Sequence, residues 1–252
     1  MIGELYTFVG NKDLAYANPL SEAMMNRAID LLELRAGDPA ADFGAGFGEL
    51  AIRVAERWGA QVSAVELSPM IAAAARERVK ARLGTQAGLV AVHQGDAGAF
   101  RAAVPAGSFR FAACVGSTHA LGGFEAALEV LLRLVARGGS VLLGDAIWDQ
   151  PPARTFLDAT GMQEDEAGTF REHVELAQLK GLEVCWATTA TTREWDEYEW
   201  AHSRAIERFA RDHADRPEAR AMVERSRTWR LAYARWGRGT LGFGLYLFRK
   251  PA

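Results

Sequence analysis

The sequence predicts an α/β fold, a doubly wound parallel sheet with helices on both faces. Three observations point there. Short apolar runs alternate with helical patterns over the first two thirds of the chain, as the crossovers of a parallel sheet require. Several of these runs end on a glycine or an acid, at the edge where open α/β sheets hold ligands. One such end, Asp42-Phe43-Gly44-Ala45-Gly46-Phe47-Gly48-Glu49-Leu50, alternates three glycines with other residues just before a helical pattern. Glycine there lets a strand turn sharply into a helix, and lets a ligand approach the backbone with no Cβ in the way.

In order, residues 1–35 are expected to form an N-terminal helical cap. Residues 1–20 read as irregular, carrying Tyr6, Phe8, Tyr16 and the Asn18-Pro19-Leu20 turn. Ser21 then caps an amphipathic helix running to Leu34. Residues 40–43 are a short apolar strand entering the glycine turn, and 49–58 a helix closed by Gly59. A second strand over 61–66 ends on Glu66. Ser68-Pro69 suits the cap and first turn of a helix over 70–83, which Gly84 ends. The third strand, 89–93, leads into Gly95-Asp96, and the fourth, 109–115, into Gly116-Ser117-Thr118-His119. Gly122-Gly123 precede a helix to Ala136, and Arg137-Gly138-Gly139 turn into a fifth strand over 141–145. After Pro151-Pro152 the pattern changes to a helix over 170–180 and a sixth strand over 182–190. A charged stretch of helical spacing fills 193–237, split near Arg216-Pro217, and a last strand covers 241–248. With no repeat and no linker, the expectation is one domain, 1–252, carrying a helical insertion at 193–238.

Composition narrows the function. A chain of 252 residues with 49% apolar and 24% charged residues can bury a real core. A formal charge of −3 gives no electrostatic reason to expect a nucleic-acid partner. No apolar run reaches membrane-span length, and Met1-Ile2-Gly3-Glu4 lacks a signal peptide's basic and apolar regions. The expectation is a cytoplasmic monomer or homodimer. Cys114 and Cys185 lie in apolar, strand-like runs and read as reduced core thiols.

Four strand ends carry unusual residues: Asp42 with the glycines, Glu66, Asp96, and Gly116-Ser117. Singly, each acid is as well explained as a helix cap. Together they suggest a nucleoside-bearing cofactor. Glu66, twenty residues after Gly46, can accept hydrogen bonds from ribose hydroxyls, and Asp96 from an adenine amino group. The glycine spacing is G-x-G-x-G with an acid two residues ahead, whereas a dinucleotide turn runs G-x-G-x-x-G and receives a pyrophosphate. A carboxylate would repel that pyrophosphate but suits an ammonium. S-adenosylmethionine is therefore favoured over NAD.

At these residues the sequence resembles the class I S-adenosylmethionine-dependent methyltransferases. The 42–48 stretch resembles their E/D-x-G-x-G-x-G motif. Val65-Glu66-Leu67-Ser68-Pro69-Met70 resembles the second motif, Gly95-Asp96-Ala97 the third, and Arg137-Gly138-Gly139 the "PGG" turn with arginine in place of proline. The 114–119 and 148–152 stretches bring it nearer to uncharacterised bacterial small-molecule methyltransferases that also resemble the quinone C-methyltransferases. The resemblance implies a Rossmann-like sheet of seven strands with the last antiparallel. It further implies methyl transfer to a small molecule by in-line displacement, and a cofactor site of Asp42, Gly44, Ala45, Gly46, Glu66, Leu67, Met70, Asp96, Ala97, Val115 and Gly116.

On the acceptor side, the loop after strand four faces the methyl group in such enzymes. His119 is its one group with an ordinary pKa near neutrality, so it is the candidate base, against a purely structural histidine. His93, His173, His202 and His213 are expected to lie further off. No N/D-P-P-Y/F loop follows strand four, which argues against DNA base methylation. The acids after strands four and five, Asp145 and Asp149, are too few for a required metal. The insertion holds Trp195, Trp200, Trp229 and Trp236, and Trp229, Tyr233 and Trp236 share one helix face. Two readings stay open: the stripe docks the insertion on the sheet, or part of it lids an aromatic acceptor pocket. Candidate acceptor residues are Tyr6, Tyr16, Ser117, Trp148, Trp200, Trp229 and Tyr233. The alternatives are another reaction of the same cofactor, such as cyclisation, or a binding protein without catalysis.

Overall fold

The computed structural model describes residues 2–252. Its seven-stranded sheet consists of β1 (Pro39–Phe43), β2 (Gln61–Glu66), β3 (Val90–Gln94), β4 (Phe109–Val115), β5 (Val135–Trp148), β6 (Glu183–Thr189) and β7 (Leu241–Arg249). The strand order is β3-β2-β1-β4-β5-β7-β6. β1 to β5 pair in parallel, whereas β7 runs antiparallel to both β5 and β6. The doubly wound fold and its antiparallel last strand match the sequence expectation. Strand order reverses between β1 and β4, so the glycine turn and Gly116 stand side by side at the switch point.

Helices cover both faces. One face carries α2 (Glu22–Asp30), α3 (Glu49–Trp58) and α4 (Pro69–Leu83), and α1 (Ile2–Asn11) packs on α4. The opposite face carries α5 (Ala97–Ala103), α6 (Phe124–Leu134) and α8 (Phe170–Leu179), with α7 (Arg154–Thr160) between β5 and α8 in sequence. α9 (Thr192–Asp212) and α10 (Pro217–Ala232) form the insertion, and their break falls at Arg216-Pro217 as the sequence indicates. α3 shows why these elements form. Its face of Leu50, Ala51, Val54 and Ala55 is buried against the sheet, and Gly59 caps it in the left-handed region at φ 65°. No helix among the described residues is long and apolar enough to cross a membrane.

Three expectations are corrected. Residues 2–11, read as irregular, are helical, because α1 gains its stability from packing rather than propensity. Val9 joins Ile206 and Met222 in a small core with α9 and α10. β5 runs over Val135–Trp148 rather than 141–145, since it pairs with β7 continuously from Ser140 to Trp148. The helices α5 and α7 have no counterpart in the sequence reading.

Gly10 is what lets α1 sit so close. A Cβ there would meet the His202 imidazole Nε2 at 2.0 Å. Gly10→Ala is expected to lower the melting temperature by about 5 °C, the cost of overpacking, although the same change in an unencumbered helix stabilises. A thermal melt reads the sign directly.

Candidate functional site

The glycine turn is pinned from three sides. The Gly44 and Ala45 amides both donate to the Val65 carbonyl at the end of β2, at 2.9 and 3.0 Å. The Glu66 carboxylate then accepts from the Gly46 amide through Oε2 at 3.0 Å and from the Ser68 amide through Oε1 at 2.9 Å. One side chain thus braces both the turn and the start of α4. Gly44, Gly46 and Gly48 all have positive φ. A Cβ on Gly46 would meet no protein atom within 4 Å, whereas one on Gly44 would strike Ser117. The first leaves an open cradle, and the second marks a close crossing of two loops.

A cavity of about 760 Å³ opens over this turn, within the roughly 300–1,000 Å³ of small-molecule sites. Its walls include Glu66 and Leu67 after β2, Asp96 and Ala97 after β3, and Val115, Gly116, Ser117 and His119 after β4. Asp96 also caps α5, accepting from the Ala99 amide at 2.8 Å. α1 forms the roof through Glu4, Tyr6 and Thr7. The Ser68 hydroxyl donates to Glu4, and Arg78 donates to the Lys12 carbonyl at 3.0 Å, which fastens that roof to α4.

Asp42 supplies the cavity's electrostatic peculiarity. It is 3% exposed, and its Oδ2 has no hydrogen-bond partner among the described residues. Burial, and secondly the Glu66 charge, push its carboxyl up to about 7. An uncompensated acid at the floor of a nucleoside-sized cavity suits a ligand that brings its own cation. The contrast is Glu49, equally buried, which pairs with Arg53, Arg78 and Arg82. Asp42, the empty cradle at Gly46, Glu66 and Asp96 together fit the ammonium, ribose and adenine parts of S-adenosylmethionine.

A second cavity of about 560 Å³ adjoins the first. Tyr6, Asn18, Gly116, Tyr198, His202 and Arg225 line both, so the two chambers meet at that wall. Beyond it the second chamber is walled by Trp195, Trp229 and Phe243, with two acids, Asp145 and Glu199. Burial pushes the Glu199 carboxyl up to about 7 against the lowering effect of its hydrogen bond from Trp229, while burial and then Arg225 push His202 down to about 4.

The structure gathers most of the residues singled out from the sequence, and separates others. Of the cofactor set, all but Met70 line the first cavity, and Met70 is an exposed residue of α4. Tyr16, Ser117 and His119 line the first cavity only, Trp229 the second only, and Tyr6 both. Trp148, Trp200 and Tyr233 line neither. Trp148 is buried and donates to the Glu164 carbonyl at 2.8 Å. Trp200 is 51% exposed with the Arg230 guanidinium over its ring. Tyr233 is buried and donates to Asp196 at 2.9 Å. The stripe therefore divides, Trp229 facing the cavity and Tyr233 docking the insertion.

His202 is a correction of position. It was expected far from the site, yet it stands where the chambers meet, because α9 folds back across α1 and packs its ring at Gly10. Sequence reasoning also passed over Glu199, and it noted Tyr198 only as one of the insertion's aromatics. A signal was present: Trp195, Tyr198, Glu199 and His202 follow i, i+3, i+4, i+7 and share one helix face. Their charged neighbourhood concealed it.

Comparison with known proteins agrees with this geometry. Residues 40–139 match the family described as "Methyltransferase domain". The uncharacterized protein YjhP of Escherichia coli K12 is 26% identical over 231 residues, covering 91% of each chain. A structure from Geobacter sulfurreducens, described as a SAM-dependent methyltransferase in complex with S-adenosyl-L-homocysteine, is similar with a TM-score of 0.87 at 24% identity over 98% of both chains. A counterpart from Thiobacillus denitrificans, with the same description and ligand, gives 0.84 at 23% identity over 96% of both chains. At such identities the structural likeness speaks for the fold, and the family match for the domain. Residues 40–139 match a methyltransferase-domain family, and the chain as a whole shares the fold of structures described as SAM-dependent methyltransferases.

Proposed function

We propose that the protein transfers a methyl group from S-adenosylmethionine to a small molecule with a flat, apolar body. The observation that carries this reading is the pair of communicating chambers. One holds the acids and glycines suited to the cofactor, the other an aromatic lining suited to an acceptor, and Gly116 belongs to both. The structures described with S-adenosylhomocysteine support the cofactor. When bound, it supplies an electrophilic methyl carbon. What the chain contributes is alignment and exclusion of water. Asp42 would hold the ammonium, Glu66 the ribose hydroxyls and Asp96 the adenine amino group, while α1 roofs the site. Tyr6, Tyr198 and His202 form the passage through which the acceptor reaches the first chamber. Burial holds His202 neutral, so it adds no positive charge beside a sulfonium.

The test is titration calorimetry with S-adenosylhomocysteine across pH. In the ligand-free protein Asp42 is largely protonated below about 7, and pairing with an ammonium needs the carboxylate. Affinity should therefore rise as pH rises through that value and level off above it. The stability of the ligand-free fold runs the other way. A carboxyl raised in the folded state favours folding below its unfolded pKa, and that contribution is lost as pH climbs through 7. Asp42→Asn should bind weakly and flatten the affinity profile. No binding by the wild-type protein at high micromolar ligand would overturn the cofactor assignment. Detection of S-adenosylhomocysteine as product, after incubation with S-adenosylmethionine and an acceptor, separates methyl transfer from other chemistry.

A further inference from the structure

We propose that the methyl acceptor is an amine carried on that flat apolar body, and that Glu199 binds its ammonium and would take one proton from it, which frees the nitrogen lone pair for the methyl group. The inference rests on the methyltransferase reading and names the acceptor's class. Glu199 is 6% exposed and lies in the wall of the second chamber. Its Oε2 accepts from the Trp229 indole Nε1 at 2.9 Å, which fixes the carboxylate in place. No cationic side chain is among the groups acting on it. Glu49 shows how this chain treats a buried acid that only holds structure: it surrounds it with three arginines. A buried carboxylate left without a counter-charge is costly unless a ligand supplies one.

The surroundings favour an ammonium as that ligand. Tyr6, Trp195, Tyr198, Trp229 and Phe243 wall the chamber, and aromatic faces attract cations. Every other charged or titratable group facing the chamber can be placed. Asp145 is a second acid: burial pushes its carboxyl up, against the lowering effect of hydrogen bonds accepted from the Thr118 hydroxyl and, at 2.8 Å, from the Ala146 amide. His202 is held neutral by burial. The Tyr6 and Tyr198 phenols are pushed up, chiefly by burial, and stay protonated. Among the described residues Arg225 is the one cation of the lining; it is an exposed residue whose guanidinium stacks over the Tyr6 ring, 4.6 Å from its centroid. With both acids ionised, two carboxylates face one guanidinium, and the lining is then negative on balance.

Two probes of matched shape and opposite charge test this. Protein saturated with S-adenosylhomocysteine is titrated with 2-phenylethylamine and with 3-phenylpropionate, following tryptophan fluorescence. The amine is expected to bind at least about tenfold more tightly than the acid, and Glu199→Gln to remove about tenfold of the amine's affinity, as loss of a charge-assisted hydrogen bond does. S-adenosylhomocysteine affinity should stay unchanged in that variant, because Glu199 lines only the second chamber; this also shows that the variant is folded. If it does not fold, Trp229→Phe releases the carboxylate and should weaken the amine by about threefold. Equal affinities, a preference for the acid, no amine binding at low millimolar concentration, or an unaffected E199Q would each overturn the proposal. A preference for the acid would point to Arg225 as the reading group instead. Should the wild type fail to bind S-adenosylhomocysteine, the methyltransferase reading falls, and the two probes still decide the role of Glu199 on the ligand-free protein.

Discussion

Replacing Glu66 with alanine is expected to weaken S-adenosylhomocysteine binding by about a hundredfold or more. Two contributions add. The carboxylate is preorganised by the Gly46 and Ser68 amides, at 3.0 and 2.9 Å, so the ribose hydroxyls would meet an acceptor that needs no rearrangement. Hydrogen bonds to a charged group contribute about 1.5–3 kcal/mol each, and two of them exceed a hundredfold in affinity. Removing the carboxylate also unties the Gly46 amide, loosening the cradle that faces the amino-acid end of the cofactor. Glu66→Gln sharpens the result. Both carboxylate oxygens now accept from backbone amides, so the glutamine NH2 must face an N–H on one side or the other. The glutamine variant should therefore bind much more weakly than wild type despite its shape. An alanine variant within threefold of wild type by calorimetry would remove Glu66 from the site.

Gly44→Ala should act first on the fold. At φ 69° a Cβ costs about 1–2 kcal/mol. That Cβ would also stand 2.3 Å from the Ser117 Cβ. Ser117 has little room to yield, since the preceding Gly116 amide donates to the Gly144 carbonyl at 2.8 Å and the following Thr118 hydroxyl donates to Asp145. The expected loss is about 3 kcal/mol, which lowers the melting temperature by about 10 °C in a chain of this size. The double variant with Ser117→Gly relieves the overlap and should recover about half of the loss, leaving only the backbone strain. Gly46→Ala is the control: with no protein atom within 4 Å of its Cβ, it should cost affinity out of proportion to stability. Equal melting temperatures for G44A and wild type would show that the two loops are not packed as described.

The first chamber was legible in the sequence because each of its parts is local. A strand end, a glycine turn and an acid at a fixed offset leave their pattern within a few residues. Asp42, Gly44, Gly46, Glu66 and Asp96 could be placed without knowing how distant segments meet. The second chamber is assembled from α1, the end of β5, α7 and both insertion helices, and no spacing within one segment reveals that meeting. Glu199 and His202 sit among arginines and acids that read as a solvated face, and it is the packing of α10 on Glu199 and of α1, at Gly10, on His202 that buries them. Trp148 and Tyr233 were chosen for chemistry, yet each spends its polar atom on an internal partner, Glu164 and Asp196. Residue type shows what an aromatic could do; its hydrogen-bond partner decides what it does.

The order β5-β7-β6 has a bearing on assembly. Among the described residues β6 pairs with no strand but β7, and β7 is the last of these strands in sequence. During synthesis β6 therefore has no strand to pair with until residues 241–249 exist to enter between it and β5. The two insertion helices hang between those strands for the same interval, so the acceptor chamber cannot close before the final strand inserts. The strand ends of β1, β2, β3 and β4 that floor the first chamber are all made earlier, whereas its roof α1 and its wall residues Tyr198, His202 and Arg225 wait for the insertion helices. A nascent chain would thus possess its cofactor cradle while still lacking a finished place for an acceptor, and the edge of β6 is where premature association between copies would begin.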